Sequence, residues 1–179
     1  MNSGYTLNEN ETVIKVVKRH WIDLAPVVIS SGVLAIGAIG LVYAAGRFSD
    51  QLSFLPSGLI PLLALVLVLL GAAILMVGLF IYGQNKLILT DMHLIQVVQR
   101  GLFSRSVSQL SMARVQDVSA QRSGLAATLL DYGTIEVETA GEDDKFVFNL
   151  APNPQQLADE CLAVHEKYEP KTGQTISEI

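Results

Sequence analysis

Cysteine is all but missing from this chain: Cys161 is the only one among 179 residues. A lone thiol excludes an internal disulfide framework and fits a reducing compartment. Charge is scarce too, at 16% of residues against about 25% in an ordinary soluble domain. The shortage is uneven. Residues 24–45 and 59–82 carry no charged side chain. A run of that length reaches roughly 33 Å as a helix, enough for a hydrocarbon core of about 30 Å. Neither run has the polar stripe of a helix on a globular surface. A cleavable leader is not expected, because the first run starts late, is long and is followed by a second.

The spans are therefore expected at about 22–45 and 59–82, forming a transmembrane hairpin over 22–83. A cytoplasmic segment, 1–21, precedes it, a β domain with a C-terminal helix occupies 84–168, and 169–179 is a polar tail. Lys15, Lys18 and Arg19 precede the first run, Arg47 alone is basic in the connection, and Lys86 and Arg100 follow the second. Basic residues flanking spans mark the cytoplasmic side, so both termini are expected there, in the cell membrane. Trp21, Tyr43, Phe80 and Tyr82 fall at the expected interfaces, where amphipathic rings are favoured.

Small residues recur every seven positions at Ser30, Gly37 and Ala44, and at Ala64, Gly71 and Gly78. Seven residues is two helical turns, so each set forms a seam along which helices can approach closely. Gly37, Ala44, Gly71 and Gly78 are the candidate span-packing residues. No charged group lies within either run, which argues against a proton relay or ion path on this chain alone.

From Lys86 the period changes to that of strands. KLILT, HLIQVVQ, SVSQL, RVQDVSAQ, TIEVETA and KFVFNL are short alternating or β-branched segments, separated by turn residues. GLAATLL interrupts them as a helical turn. Asn153-Pro154 is a start signal for a helix to Tyr168, with Leu157, Cys161, Val164 and Tyr168 on one face. The expected fold is thus a two-helix transmembrane hairpin, then a mainly antiparallel β barrel or sandwich capped by a C-terminal α-helix.

Reactive constellations are scarce. His20, His93 and His165 show no metal-ligand spacing with one another, and Cys161 lies four residues before His165 without further ligands nearby. Glu136 and Glu138 share one strand face. Paired carboxylates can hydrolyse glycosides, yet polar-out alternation accounts for them equally. GEDD at 141–144 fits a hairpin tip and lacks a calcium-loop pattern. There is no nucleophile elbow and no glycine-rich phosphate loop after a strand. No cofactor and no metal is expected, and no enzymatic activity.

Charge divides the soluble part. Residues 84–122 hold five cations against two acids, net +3, and residues 123–179 hold three against eleven, net −8. Anionic head groups attract the first and repel the second, at about 1 kcal/mol per well-placed cation. Lys15, Lys18, Arg19, Trp21, Lys86, Arg100 and Arg105 are candidate contacts to the lipid surface. Nucleic acid is not expected as a partner, since a chain of net charge −5 lacks the basic footprint it requires.

ENETVIKVVKRHW before the first run, then NKLILTDMHLI, RGLFSRS, RVQDVSAQRSGL and DYGTIEVETAG, in that order, resemble bacterial membrane proteins with a pleckstrin-homology-like (PH-like) domain. The resemblance runs from Glu9 to about Cys161. It implies a PH-like barrel of seven strands and a C-terminal helix, one strand more than the six counted above. It carries no established reaction. Phosphoinositide-binding PH domains place Lys and Arg around the first strand–strand loop; here Thr90-Asp91-Met92 has none, so specific phosphoinositide binding is not expected. The expected role is a membrane-anchored binding or scaffolding module, acting through another membrane protein or copies of itself. The alternatives are an accessory subunit of a transporter or protease complex, or an anchored hydrolase or transferase on envelope substrates.

Overall fold

The structure, a computed structural model, describes residues 11–49, 55–56, 58–139 and 145–175. It divides into two units: the apolar stretch Trp21–Tyr82, and a β-rich unit joining the residues up to His20 with those from Gly83 onward.

In the apolar unit a single 3-10 turn, Trp21–Leu24, leads into helix α1, Ala25–Arg47; helix α2 is Leu59–Gln84. Proline in the first turn of α1 costs nothing there, because that N–H has no helical acceptor. Both helices are long and apolar enough to cross a membrane. The hydroxyls of Ser30 and Ser31 donate to the carbonyls of Val27 and Val28 at 3.0 Å, so neither is left unsatisfied in an apolar setting. The helices meet along the small residues of α2. A Cβ on Gly71 would lie 3.3 Å from the Ser31 carbonyl oxygen, and one on Gly78 would collide with the Val27 side chain. The α1 side of the contact is not the Ser30–Gly37–Ala44 row. Gly37 has open space around it, Ser30 is exposed, and the buried residue of α1 is Ala38. Val27, Ser31, Leu34 and Ala38 alternate by four and three residues, which keeps them on one helix face. The expected seam was one position out of phase.

The β-rich unit has seven strands in two antiparallel sheets. β1, Val13–Lys18, β2, Lys86–Thr90, β3, His93–Gln99, and β4, Arg105–Ser111, form one in sequential order. β5, Val115–Gln121, β6, Tyr132–Thr139, and β7, Phe146–Pro152, form the other. α3, Leu125–Leu130, links β5 to β6, and α4, Pro154–Thr175, follows β7. The strand absent from the sequence count is β1. It lies in the segment read as separate from the domain, and pairs with β2 from Lys18↔Lys86 to Val13↔Thr90. The α1–α2 hairpin is therefore an insertion between two adjacent strands. α4 also continues past Tyr168 to Thr175, into the stretch read as a polar tail. The 141–144 hairpin tip, residues 50–54 of the connection and the last four residues lie outside the described residues.

Leu87, Leu89, Leu94, Ile135, Val137 and Phe148 are the bulk of the core, and Leu157, Ala158 and Cys161 of α4 close it. Gln96 crosses between the sheets, its Nε2 donating to the Val147 carbonyl at 3.1 Å. Such a bond satisfies a buried amide that would otherwise cost about 1–3 kcal/mol.

Candidate functional site

The strand register defines two ends of the β-rich unit. At the exit end lie Lys18 and Lys86, a register pair two residues and one residue from the apolar stretch and α2 respectively. Asn85, the single residue between α2 and β2, is buried, and its Oδ1 accepts the Gln99 N–H at 2.6 Å. A side chain thus takes over a ladder bond at the place where the backbone leaves the sheet.

The two sheets are stitched together at the same end. The His20 N–H donates to the Leu150 carbonyl at 2.7 Å, and the His20 ring lies 5.3 Å from that of Tyr132. Leu150 has φ 56°, left-handed for a branched residue, a conformation that costs roughly 1–2 kcal/mol. It sits in a bulge: Gly133 pairs with Ala151 and Ile135 with Phe148, leaving two residues of β7 against one of β6. The bulge re-aims the Leu150 carbonyl out of its own ladder. Gly133 is required here, since a Cβ would collide with the Gln121 carbonyl oxygen and reach within 3.0 Å of Pro154.

The far end is clasped by residues that precede β1. Thr90 donates its hydroxyl to the Glu11 carboxylate and accepts the His93 N–H at 2.7 Å. His93 Nδ1 lies 3.0 Å from the same carboxylate, whose side chain is buried. Thr12 gives Asp91 both its N–H and its hydroxyl, each at 2.9 Å. The β2–β3 turn is thus a braced strand connection holding Glu11 and Asp91.

The other residues singled out in the sequence are dispersed. Lys15, grouped with the lipid-surface cations, instead reaches both oxygens of Glu160 on α4 at 2.7 Å. β1 lies beside α4, so the nearest opposite charge captures the ammonium. Lys18, Arg100 and Arg105 are exposed at the exit end, where Lys86 and Arg19 are partly buried; Trp21 is exposed in the first turn of the apolar unit. Glu136 and Glu138 share Lys145, at 3.7 and 2.9 Å. The Glu138 hydrogen bond, before the charge of either carboxylate, raises the Lys145 pKa above its usual value. His165 donates from Nδ1 to the Met112 carbonyl at 2.9 Å, fixing α4 to the turn after β4. Cys161 is buried, and that burial, ahead of the neighbouring Glu160, pushes its thiol pKa up to about 12. The thiol is a core group. Among the described residues no three His, Cys, Asp or Glu side chains are grouped to hold a metal ion.

Sequence reasoning missed the Glu11–Thr12 clasp, the Asn85 substitution and the Leu150 bulge. Only β1 had a local signal, the β-branched run Val13, Ile14, Val16 and Val17.

Four strands, then three, then a helix across the core define a PH-like domain, here interrupted after its first strand by an apolar hairpin. The chain belongs to the bacterial PH domain family, whose model matches residues 27–165. Among solved structures it is similar to a DUF1696 family protein with a pleckstrin-homology domain from Shewanella loihica PV-4. That likeness has 12% identity and a TM-score of 0.35, covering 47% of this chain and 69% of that one. No curated protein matches the chain.

Proposed function

We propose that this protein is a non-catalytic binding or scaffolding module: a two-span membrane anchor that presents a PH-like domain for contact with another membrane protein or with its own copies. The observation that carries the reading is the β1–β2 ladder. Strands joined by hydrogen bonds must lie in one compartment, so the chain between them crosses a bilayer an even number of times, as two spans do. The domain is fastened at both ends of its insertion, through two residues on one side and Asn85 on the other. Such mounting favours presentation over reach. The basic residues flanking the spans support the cytoplasmic side for both termini.

An apolar groove of about 490 Å³, lined by Ile39, Val42, Tyr43, Leu65 and Val68 among others, opens between α1 and α2. The Thr90-Asp91-Met92 turn, read from the sequence as the first strand–strand loop, joins β2 to β3 instead, since β1 precedes the hairpin, so its lack of a cation carries no argument about phosphoinositides.

Cross-linking in intact membranes, followed by purification after gentle solubilisation, tests the reading. A defined partner or a discrete oligomer is expected. A protein recovered only as a monomer, with no companion, overturns it. A carboxy-terminal tag digested by protease added outside intact cells would reverse the orientation.

A further inference from the structure

We infer that the exit end of the β-rich unit is a lipid-contacting rim, in which two apolar loop tips, Leu102-Phe103 and Leu125/Leu129, seat in the interfacial region of the bilayer. The inference rests on the membrane reading of the hairpin, and goes beyond it by assigning a second, independent contact to the folded domain.

Three observations converge. The first is exposure. Phe103 is 100% exposed at the tip of the β3–β4 loop, with Leu102 half exposed beside it. On α3, Leu125 and Leu129 are 85% and 82% exposed while Ala127, between them, is buried. The leucines are four residues apart and share a face. Large apolar side chains grouped outside a core mark an interaction surface.

The second is position. β3 runs from the clasped turn back toward Lys86, which it meets at Val97, so the Arg100–Ser104 loop lies at the exit end. The loop is braced from within: Gln99 Nε2 donates to the Gly101 carbonyl at 2.6 Å, and the Arg100 N–H to the Ser104 carbonyl at 3.0 Å. α3 lies between Gln121, which pairs with Thr134, and Tyr132, which stacks on His20. Both tips therefore stand at the end where the chain leaves for the apolar hairpin, and neither is at the clasped end.

The third is charge. Arg100 and Arg105 bracket Leu102-Phe103, and Lys18 is exposed at the same end. Of the acids near that end, Asp131 is paired with Arg122 at 2.9 Å, and Asp23 lies in the first turn of the apolar unit. A Leu102-Phe103 tip flanked by Arg100 and Arg105, on an end that also carries Lys18, matches an anionic bilayer interface, where the apolar side chains leave water while the cations meet phosphate. A protein partner would fit the apolar tips alone; the flanking cations and the continuity of both chain exits into spans select lipid.

The test uses the full chain with Trp21→Phe, so that one introduced tryptophan reports. Phe103→Trp, Leu129→Trp, Glu166→Trp at the clasped end of α4, and Leu69→Trp in mid-α2 are each reconstituted in phosphatidylcholine–phosphatidylglycerol vesicles. Quenching is measured with a lipid nitroxide near the head group and with aqueous acrylamide. Several-fold stronger lipid quenching of Phe103→Trp and Leu129→Trp than of Glu166→Trp is expected, with acrylamide showing the reverse. If Leu69→Trp is quenched by deeper nitroxides while Phe103→Trp behaves like Glu166→Trp, the rim is refuted and the anchor stands. Protection that grows with protein density and owes nothing to lipid assigns the tips to a second copy, and also refutes it. If Leu69→Trp is unquenched at every depth, the anchor fails and the rim with it. A chain that purifies without any partner would still give the expected pattern, so the scaffold reading fails separately.

Discussion

Leu, Ile and Val dominate both halves of this molecule, yet the two halves use them oppositely. In the hairpin, Ile36 is 71% exposed and Met76 69%, and the buried residues among those described are Ala38, Ala64 and Gly71. In the β-rich unit Ile88, Leu89 and Phe148 are at most 1% exposed. One unit turns its large apolar groups outward and packs on small ones; the other does the reverse. In water the driving force is removal of apolar surface, at roughly 25 cal/mol per Å². In lipid that force between helices vanishes, and close approach of backbones replaces it. The outward-facing residues of the hairpin support the membrane anchor proposed above.

The contrast can be broken from either side. The largest effect is expected for Phe148→Ala, which empties the meeting point of the two sheets and costs about 3–5 kcal/mol of domain stability. Thermal or denaturant unfolding of the β-rich unit would read this, while membrane insertion stays intact. Leu69→Arg attacks the other half. A central arginine costs about 2.5–3.5 kcal/mol for insertion, so the variant should lose membrane integration in a glycosylation-mapping assay. Gly78→Leu should destabilise helix pairing by about 1–3 kcal/mol through overpacking against Val27, whereas Gly37→Leu, facing open space, should leave pairing unchanged. Disulfide cross-linking between cysteines placed along α1 and α2 distinguishes them. An equal loss in both glycine variants would restore the seam read from the sequence.

The smallest effect is on Cys161. Its folded pKa, about 12, lies above the ordinary 9.0, so folding favours the protonated thiol. That contribution is complete below about pH 9 and is lost as pH rises toward 12. Native protein at pH 8 should resist iodoacetamide and react only once unfolded. Rapid native alkylation would show that the α4 cap is not closed.

The spans and the strands from Lys86 to Leu150 were legible because their signals are local. A run of uncharged residues or a two-residue alternation reports its own environment. β1 was not, although its β-branched run was visible, because its partner Lys86–Thr90 lies across the whole hairpin. Nothing in VIKVVK names that partner. Gly133 stands in DYGTIEVETAG with nothing beside it to signal that it must clear the Gln121 carbonyl. Lys15 and Lys18 are three residues apart and equally basic, yet Lys15 is held by Glu160 and Lys18 is exposed at the exit end. Charge is a property of the residue, and its partner is a property of the fold.

The sequence by itself determined the hairpin, the number of strands after it, the capping helix and the scarcity of reactive groups, since each follows from composition or period along a short stretch. Only the tertiary structure decided that the domain begins before the hairpin, that α1 offers Ala38 instead of Gly37 to its neighbour, and that two apolar tips share the exit end. Those depend on which distant segments hydrogen-bond and on the rotation of one helix against another. Pairings of that kind are settled by packing over the whole chain, and no window of residues contains them.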